Sequence, residues 1–383
     1  MKAHGKCSGR LLTPTASMCQ SEIFADPLTG KEPQMQRTTI GLDIAKRVFQ
    51  AHAVDAASGE VTRTKLQRAE VLQHFAQLQR SLIVMEACGS AQHWAREFAK
   101  LGHEVKLIAP QFVRPFVKTN KNDAADAQAI WTAAQQPEMR AVAVKTEEQQ
   151  AVLGLHAIRE RLKKARTAAV NQLHGLMGEF GIELLRGWRK MLPQAAAVLE
   201  PTNSAVPALL QPQLRRQLEE VRRLTEQMAE VERQIASWKR RQDECERIAA
   251  IPGVGLLTAT AAVATMGEAR TFRSGRQFAA YLGLVPRQSG TGGRVQLLGI
   301  SKRGDKYLRM LLIHGARSVL KSSQAAKDPT TWLGRLMQRR PRNVAAVALA
   351  NKMARQVWAI LAHGRTYEPN YGLPQQVAAA TPA

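Results

Sequence analysis

Thr38-Thr-Ile-Gly-Leu-Asp43 and Ser81-Leu-Ile-Val-Met-Glu86 decide the fold. Each is a short apolar run that stops on an acid, the pattern of a buried strand whose last residue reaches a sheet edge. Between them, Val48–Val54 and Glu60–Gln67 alternate as strands do, and the intervening Asp55–Gly59 contains Ser-Gly, so these two form a hairpin. Helical spacing follows over Glu70–Gln79 and over Ala91–Leu101. Glu104–Ala109 reads as another strand, closed by Pro110.

Three strands, a helix, a strand, a helix and a strand is the order of an RNase H-like domain, expected over residues 37–146. From about Glu147 the pattern turns helical, giving an α/β unit followed by an all-α one. Within a long helical or coiled-coil middle, residues 147–245, apolar residues fall at Leu214, Leu218, Val221, Met228, Val231, Ile235 and Trp238. Spacings of three, four and seven mark one stripe of a long helix. The stripe is explained equally well by packing within its own domain and by a dimerising coiled coil. Pro193, Pro201, Pro207 and Pro212 break the chain before it. Residues 246–366 are expected to form a mainly helical C-terminal domain. The tails, 1–36 and 367–383, lack periodicity and are expected to be disordered. Met35 directly precedes the first strand and is an alternative start to Met1.

The 383-residue chain carries 55 Lys and Arg against 31 Asp and Glu, a formal net charge of +24. The charge is segregated: from Arg270 to Arg365 there are 19 Lys and Arg, and the acids are Asp305 and Asp328. A basic field of this kind favours a polyanion, and nucleic acid above all. In that setting Ile251-Pro-Gly-Val-Gly255, followed by a small-residue helix, reads as a helix-hairpin-helix. Its glycines Gly253 and Gly255 would turn backbone N–H groups towards a phosphate. A glycine turn between two core helices is the plainer alternative. Cys7, Cys19, Cys88 and Cys245 show no zinc spacing or disulfide framework, which fits a reduced cytosolic compartment. No apolar run is long enough to span a membrane, and the first residues lack the compact apolar stretch of a signal peptide.

The candidate site consists of carboxylates. Asp43 and Glu86 end strands that are expected to be neighbours. Asp123 and Asp126, in Asn122-Asp-Ala-Ala-Asp-Ala127, sit one turn apart at a helix start, so both share a face. Singly, Asp43 reads as a turn residue and Asp123 as a helix cap. Together, four clustered acids need compensation, and oxygen ligands select Mg²⁺ or Mn²⁺. Two such ions serve in-line displacement at a phosphodiester. Arg114, Lys118 and Lys121 lie alongside as phosphate ligands or counter-charges.

At this point the chain resembles the DEDD transposases of bacterial insertion sequences, which pair a RuvC-like N-terminal domain with a C-terminal transposase domain. The resemblance rests on Ile40-Gly-Leu-Asp-Ile-Ala-Lys46, Met85-Glu-Ala-Cys-Gly89 and Lys121-Asn-Asp-Ala-Ala-Asp-Ala127. In the second half it rests on Ile251-Pro-Gly-Val-Gly255, Phe278-Ala-Ala-Tyr-Leu-Gly-Leu-Val-Pro-Arg287 and Gly299-Ile-Ser-Lys-Arg-Gly-Asp-Lys-Tyr-Leu-Arg309. It implies a cytoplasmic, nucleoid-associated recombinase that handles donor and target DNA as a dimer or tetramer. It also implies a C-terminal serine nucleophile forming a transient phosphoserine link, and a noncoding bridge RNA that supplies sequence recognition. The serine falls in Pro286-Arg-Gln-Ser-Gly-Thr-Gly-Gly-Arg294, where Ser289 is the serine available; Thr291 and Ser301 are the alternatives. Arg287, Arg294, Lys302, Arg303 and Arg309 surround it and suit a scissile phosphate.

Two other readings compete. A RuvC-like junction nuclease would use the carboxylates alone, but would not need the long C-terminal half. The exonuclease subgroup with Asp-x-Glu on its first strand is disfavoured, because Ala45 stands where the Glu belongs. A non-catalytic nucleic-acid-binding protein has no need of the ordered set of acids.

Overall fold

The computed structural model describes residues 37–117, 123–137, 139–200, 205–292 and 294–369. The expected tail over 1–36 therefore lies outside the described residues, as do Lys118 and Lys121.

The N-terminal unit is a six-stranded sheet in the order β3-β2-β1-β4-β5-β6. Its strands are β1 (Thr39–Ile44), β2 (Val48–Val54), β3 (Val61–Gln67), β4 (Leu82–Glu86), β5 (Glu104–Ile108) and β6 (Ala141–Val142). β1, β2 and β3 form an antiparallel meander, β4 and β5 run parallel to β1, and β6 returns antiparallel. This mixed sheet is consistent with an RNase H-like domain. Helices α1 (Val71–Ala76) and α2 (Ala91–Lys100) cover one face, α4 (Asp123–Ala134) covers the other, and the short α3 (Pro110–Val113) leads towards α4.

Strand alternation assigns the two faces. Ile40, Leu42, Phe49, Ile83 and Met85 point into one core with Phe75, Trp94 and Phe98. Val84 and Ile108 point the other way, into a core with Ala129, Ile130 and Ala133 of α4. Gly41 also lies on the α4 face, as the site requires below.

The rest of the chain is mainly helical. α5 (Glu147–Gly178) is 32 residues long, about 48 Å at 1.5 Å per residue. It begins with a capping box in which the Thr146 hydroxyl accepts from Gln149 N–H and the Gln149 side chain accepts from Thr146 N–H. After α6 (Trp188–Val198), α7 (Gln211–Lys239) folds back along α5. The α7 stripe is consumed inside the chain: Leu214, Leu218 and Val221 pack with Leu173 and Met177, and Leu224, Met228, Val231 and Ile235 pack with Leu162. Leu224 fills the seven-residue gap in the pattern. Of the two explanations for the stripe, packing within the chain is the one realised.

The remaining helices are α8 (Asp243–Ala249), α9 (Leu256–Met266), α10 (Gly275–Tyr281), α11 (Lys306–Ser322), α12 (Trp332–Arg339) and α13 (Arg342–His363). They share one core centred on α9, whose residues Thr258–Met266 are all buried. Tyr367, expected to open the C-terminal tail, packs against this core. Arg96 of α2 joins the two units, donating to Lys145 O before α5 at 3.0 Å and to the Gln150 side chain on α5 at 2.8 Å.

Candidate active site

Asp43 and Glu86 arrive at one sheet edge because β1 and β4 are parallel and in register. Leu42 pairs with Met85, so the next residue of each strand is the acid. Both acids lie on the α4 face, two residues beyond Gly41 and Val84 respectively. α4 brings Asp126 to the same place, one turn after Asp123 at the helix start. Of Asp123 the backbone is described and the side chain is not.

The electrostatics register this convergence. Burial pushes the Glu86 carboxyl above its ordinary range, the negative charge of Asp126 pushes it further, and Arg114 partly offsets both. Cys88, exposed beside the site, has its thiol raised by burial and then by Glu86 and Asp43. Among the described residues, no three His, Cys, Asp or Glu side chains are close enough to cage an ion by themselves. The donor set nevertheless fits a divalent cation: hard oxygens, a half-buried setting, and a mutual repulsion that Arg114 alone does not cancel.

Close approach of α4 to β1 makes the arrangement possible. A Cβ on Gly41 would meet the Trp131 amide nitrogen at 2.7 Å and the Trp131 Cβ at 2.8 Å, besides colliding with Ala127 O. A glycine in a strand interior signals such an approach, so this part of the site carried a sequence signal that was not used. Lys65 stands in the same strand row as Asp43. It pairs with Gln50, which pairs with Asp43, so all three form one row across the sheet.

The C-terminal candidates separate. Ser289 lies on β7 (Pro286–Thr291), which pairs with β8 (Arg294–Ile300) in an antiparallel hairpin. Ser289 pairs with Gln296, and every β7 residue is exposed. Thr291 faces Arg294 at the tip, and Ser301 follows β8 with its N–H bonded to Val285 O. Arg287, Arg294, Lys302 and Arg303 are exposed. Arg309 is not. Its guanidinium is buried and donates to Leu282 O at 2.7 Å and Arg303 O at 3.0 Å, bracing the backbone instead of facing a phosphate.

Gly253 is likewise a packing residue. It adopts φ +89°, and a Cβ there would meet Gly315 O of α11 at 2.8 Å. The approach of two backbones requires glycine at 253. Gly255 is exposed and caps the start of α9. Next to the hairpin, a groove of about 1530 Å³ runs between β8 and α13; Trp332, Trp358, Arg340, Lys352 and Arg355 are among its walls. Among the described residues no helix is long and apolar enough to cross a membrane.

Two family profiles match the chain. One, of the DEDD transposases of the IS110 type, covers residues 40–182. The other, the transposase IS116/IS110/IS902 family, covers residues 245–330. A probable family 20 transposase of Pseudomonas aeruginosa is 50% identical over 337 residues, covering 88% of this chain and 100% of that protein. The transposase for insertion sequence element IS1111A of Coxiella burnetii is 42% identical over 333 residues, 86% of this chain and 90% of that protein. The transposase for insertion sequence element IS1328 of Yersinia enterocolitica is 39% identical, over 86% of this chain and 98% of that protein. With a DEDD domain in its sheet unit and the second transposase domain in its helical region, the chain belongs to the IS110 family of DEDD transposases.

Proposed function

We propose that this transposase cuts and exchanges DNA strands at a divalent-metal site held by Asp43, Glu86, Asp123 and Asp126. The observation that carries the reading is the pressure of Asp126 on Glu86 beside Asp43, at one sheet edge. Bound Mg²⁺ or Mn²⁺ would lower the barrier to in-line attack at a phosphodiester. The chain's own residues do the rest: the carboxylates orient the reacting phosphate's neighbourhood, and Arg114 tempers their charge.

The second part of the proposal is that Ser289 forms the covalent link. Its Oγ displaces one bridging oxygen from phosphorus, forming an Oγ–P bond. The released strand end takes the proton as a hydroxyl. A hydroxyl from the exchanging strand then displaces Oγ and returns the proton to it. Arg287 and Arg294, exposed on the same hairpin, would neutralise the transition state. The IS110 resemblance extends this to two duplexes held by a dimer or tetramer, with a noncoding bridge RNA reading sequence. The basic region around the groove supplies the backbone contacts.

Asp126→Ala tests the core of this. Strand cleavage should vanish while DNA binding, measured in EDTA, stays at the wild-type level. Retained cleavage would refute the carboxylate assignment. Nucleic acid copurified with the full chain and sequenced should contain noncoding RNA from the flanking element; its absence would remove the guided reading.

A further inference from the structure

A second polar site lies on the same sheet face as Asp43, beyond the edge of α4. Gly41 pairs with His52 and His52 with Arg63, so these three form the row next to Asp43–Gln50–Lys65. α4 sits over Gly41, and its Trp131 packs edge-on to the His52 ring at 5.7 Å. His52, Arg63, Gln128 and Trp131 line a pocket of about 630 Å³, together with Val54, Gly59 and Val61.

The pocket is rich in donors and has no acid in its lining. His52 is only 4% exposed, yet its Nδ1 has no hydrogen-bond partner among the described residues. Trp131 Nε1–H, a donor with no acceptor function, is buried and equally unpartnered. Arg63 is engaged only loosely, its guanidinium donating to Gln128 at 3.4 Å. Buried polar atoms left without partners cost stability, and their retention beside a cation points to a ligand. A ligand that satisfies Trp131 N–H, a ring N–H of His52 and a guanidinium at once is an anionic oxygen group. Burial and Arg63 hold the His52 ring below its ordinary pKa, so it serves as a neutral donor through one nitrogen.

We infer that Arg63, His52 and Trp131 form an anchor for a backbone phosphate of the DNA strand that leads away from the Asp43 edge. Lys65, in the Asp43 row itself and next to the anchor row, lies along the path. This deepens the carboxylate reading above and rests on it for the direction of the strand. The anchor positions DNA and takes no part in bond breaking.

The experiment measures binding of a labelled random-sequence DNA oligonucleotide to the full chain in EDTA, across a salt series. Arg63→Gln should weaken binding about three- to tenfold and reduce the slope of log K against log salt by about one. Arg63→Lys should restore the slope. Trp131→Phe keeps an aromatic ring against His52 but removes the N–H, and should weaken binding with the slope unchanged. Unaltered affinity and slope in Arg63→Gln, with an unchanged melting temperature, would overturn the proposal. So would weakening towards an RNA oligonucleotide with DNA binding intact. Because binding is read without metal, failure here is distinct from failure of the carboxylate site, which Asp126→Ala reads by cleavage.

Discussion

Gly41→Ala is the most informative small perturbation of the site. The new methyl would sit 2.7 Å from the Trp131 amide nitrogen and 2.8 Å from its Cβ. These are α4 main-chain and Cβ positions that no rotamer change can clear. Ordinary carbon contacts need about 3.5–4.0 Å, so α4 must lift from β1 by about 1 Å. Overpacking of this kind costs about 1–3 kcal/mol. The functional cost is larger, because α4 carries Asp126 while Asp43 and Glu86 stay on the sheet. A displacement of about 1 Å in a reacting constellation lowers rates about 10²-fold. The variant should therefore melt several degrees lower and, at saturating DNA, cleave donor DNA about a hundredfold more slowly. Cleavage at the wild-type rate would refute the claim that the β1–α4 approach sets the site.

Three further outcomes follow from the same geometry. Glu86 has a folded pKa above its ordinary value, so its ionisation opposes folding: its favourable contribution is full below the unfolded pKa and is lost as pH rises through the folded one. Glu86→Gln should accordingly raise the melting temperature of metal-free protein at neutral pH while cleavage falls; a lower melting temperature would contradict the charge argument. Ser289→Ala should eliminate the covalent protein–DNA adduct trapped by denaturation and leave non-covalent binding unchanged, whereas a persistent adduct would shift the assignment to Thr291 or Ser301. His156, buried between Tyr307 and Thr260 with its pKa lowered to about 4, is neutral in the folded core. Its contribution is present above the unfolded pKa and is lost as pH falls from about 6.5 towards about 4. That loss is at most about 3 kcal/mol, and urea unfolding of wild type and His156→Gln across that range should show a steeper loss in wild type.

The sheet was legible because its strands bury both faces or alternate cleanly. Leu82-Ile-Val-Met85 has no polar side to expose, and the acid that ends it marks the edge. The Glu70–Gln79 helix is shorter than its periodicity, ending at Ala76, because Gln77 already caps it. The β7–β8 hairpin left little pattern. Its residues are exposed, including Val295 at 67% and Leu297 at 64%, and the one short alternation, Arg294-Val-Gln-Leu297, adjoins a glycine-rich run. Its glycines mimic a loop. The packing of Gly253 and Arg309 was hidden for another reason: their partners, Gly315 and Leu282, are distant in sequence, and only tertiary proximity brings them together. The convergence of Asp43, Glu86 and Asp126 on one sheet edge, by contrast, was legible from strand ends and helix spacing, features that are local.

The most direct test of the metal-dependent carboxylate site is donor-DNA strand cleavage by the full chain in Mg²⁺ and in EDTA, with DNA occupancy verified in both. The account predicts complete loss of cleavage in EDTA with the DNA still bound, and recovery when Mg²⁺ is restored. Undiminished cleavage in EDTA would contradict it.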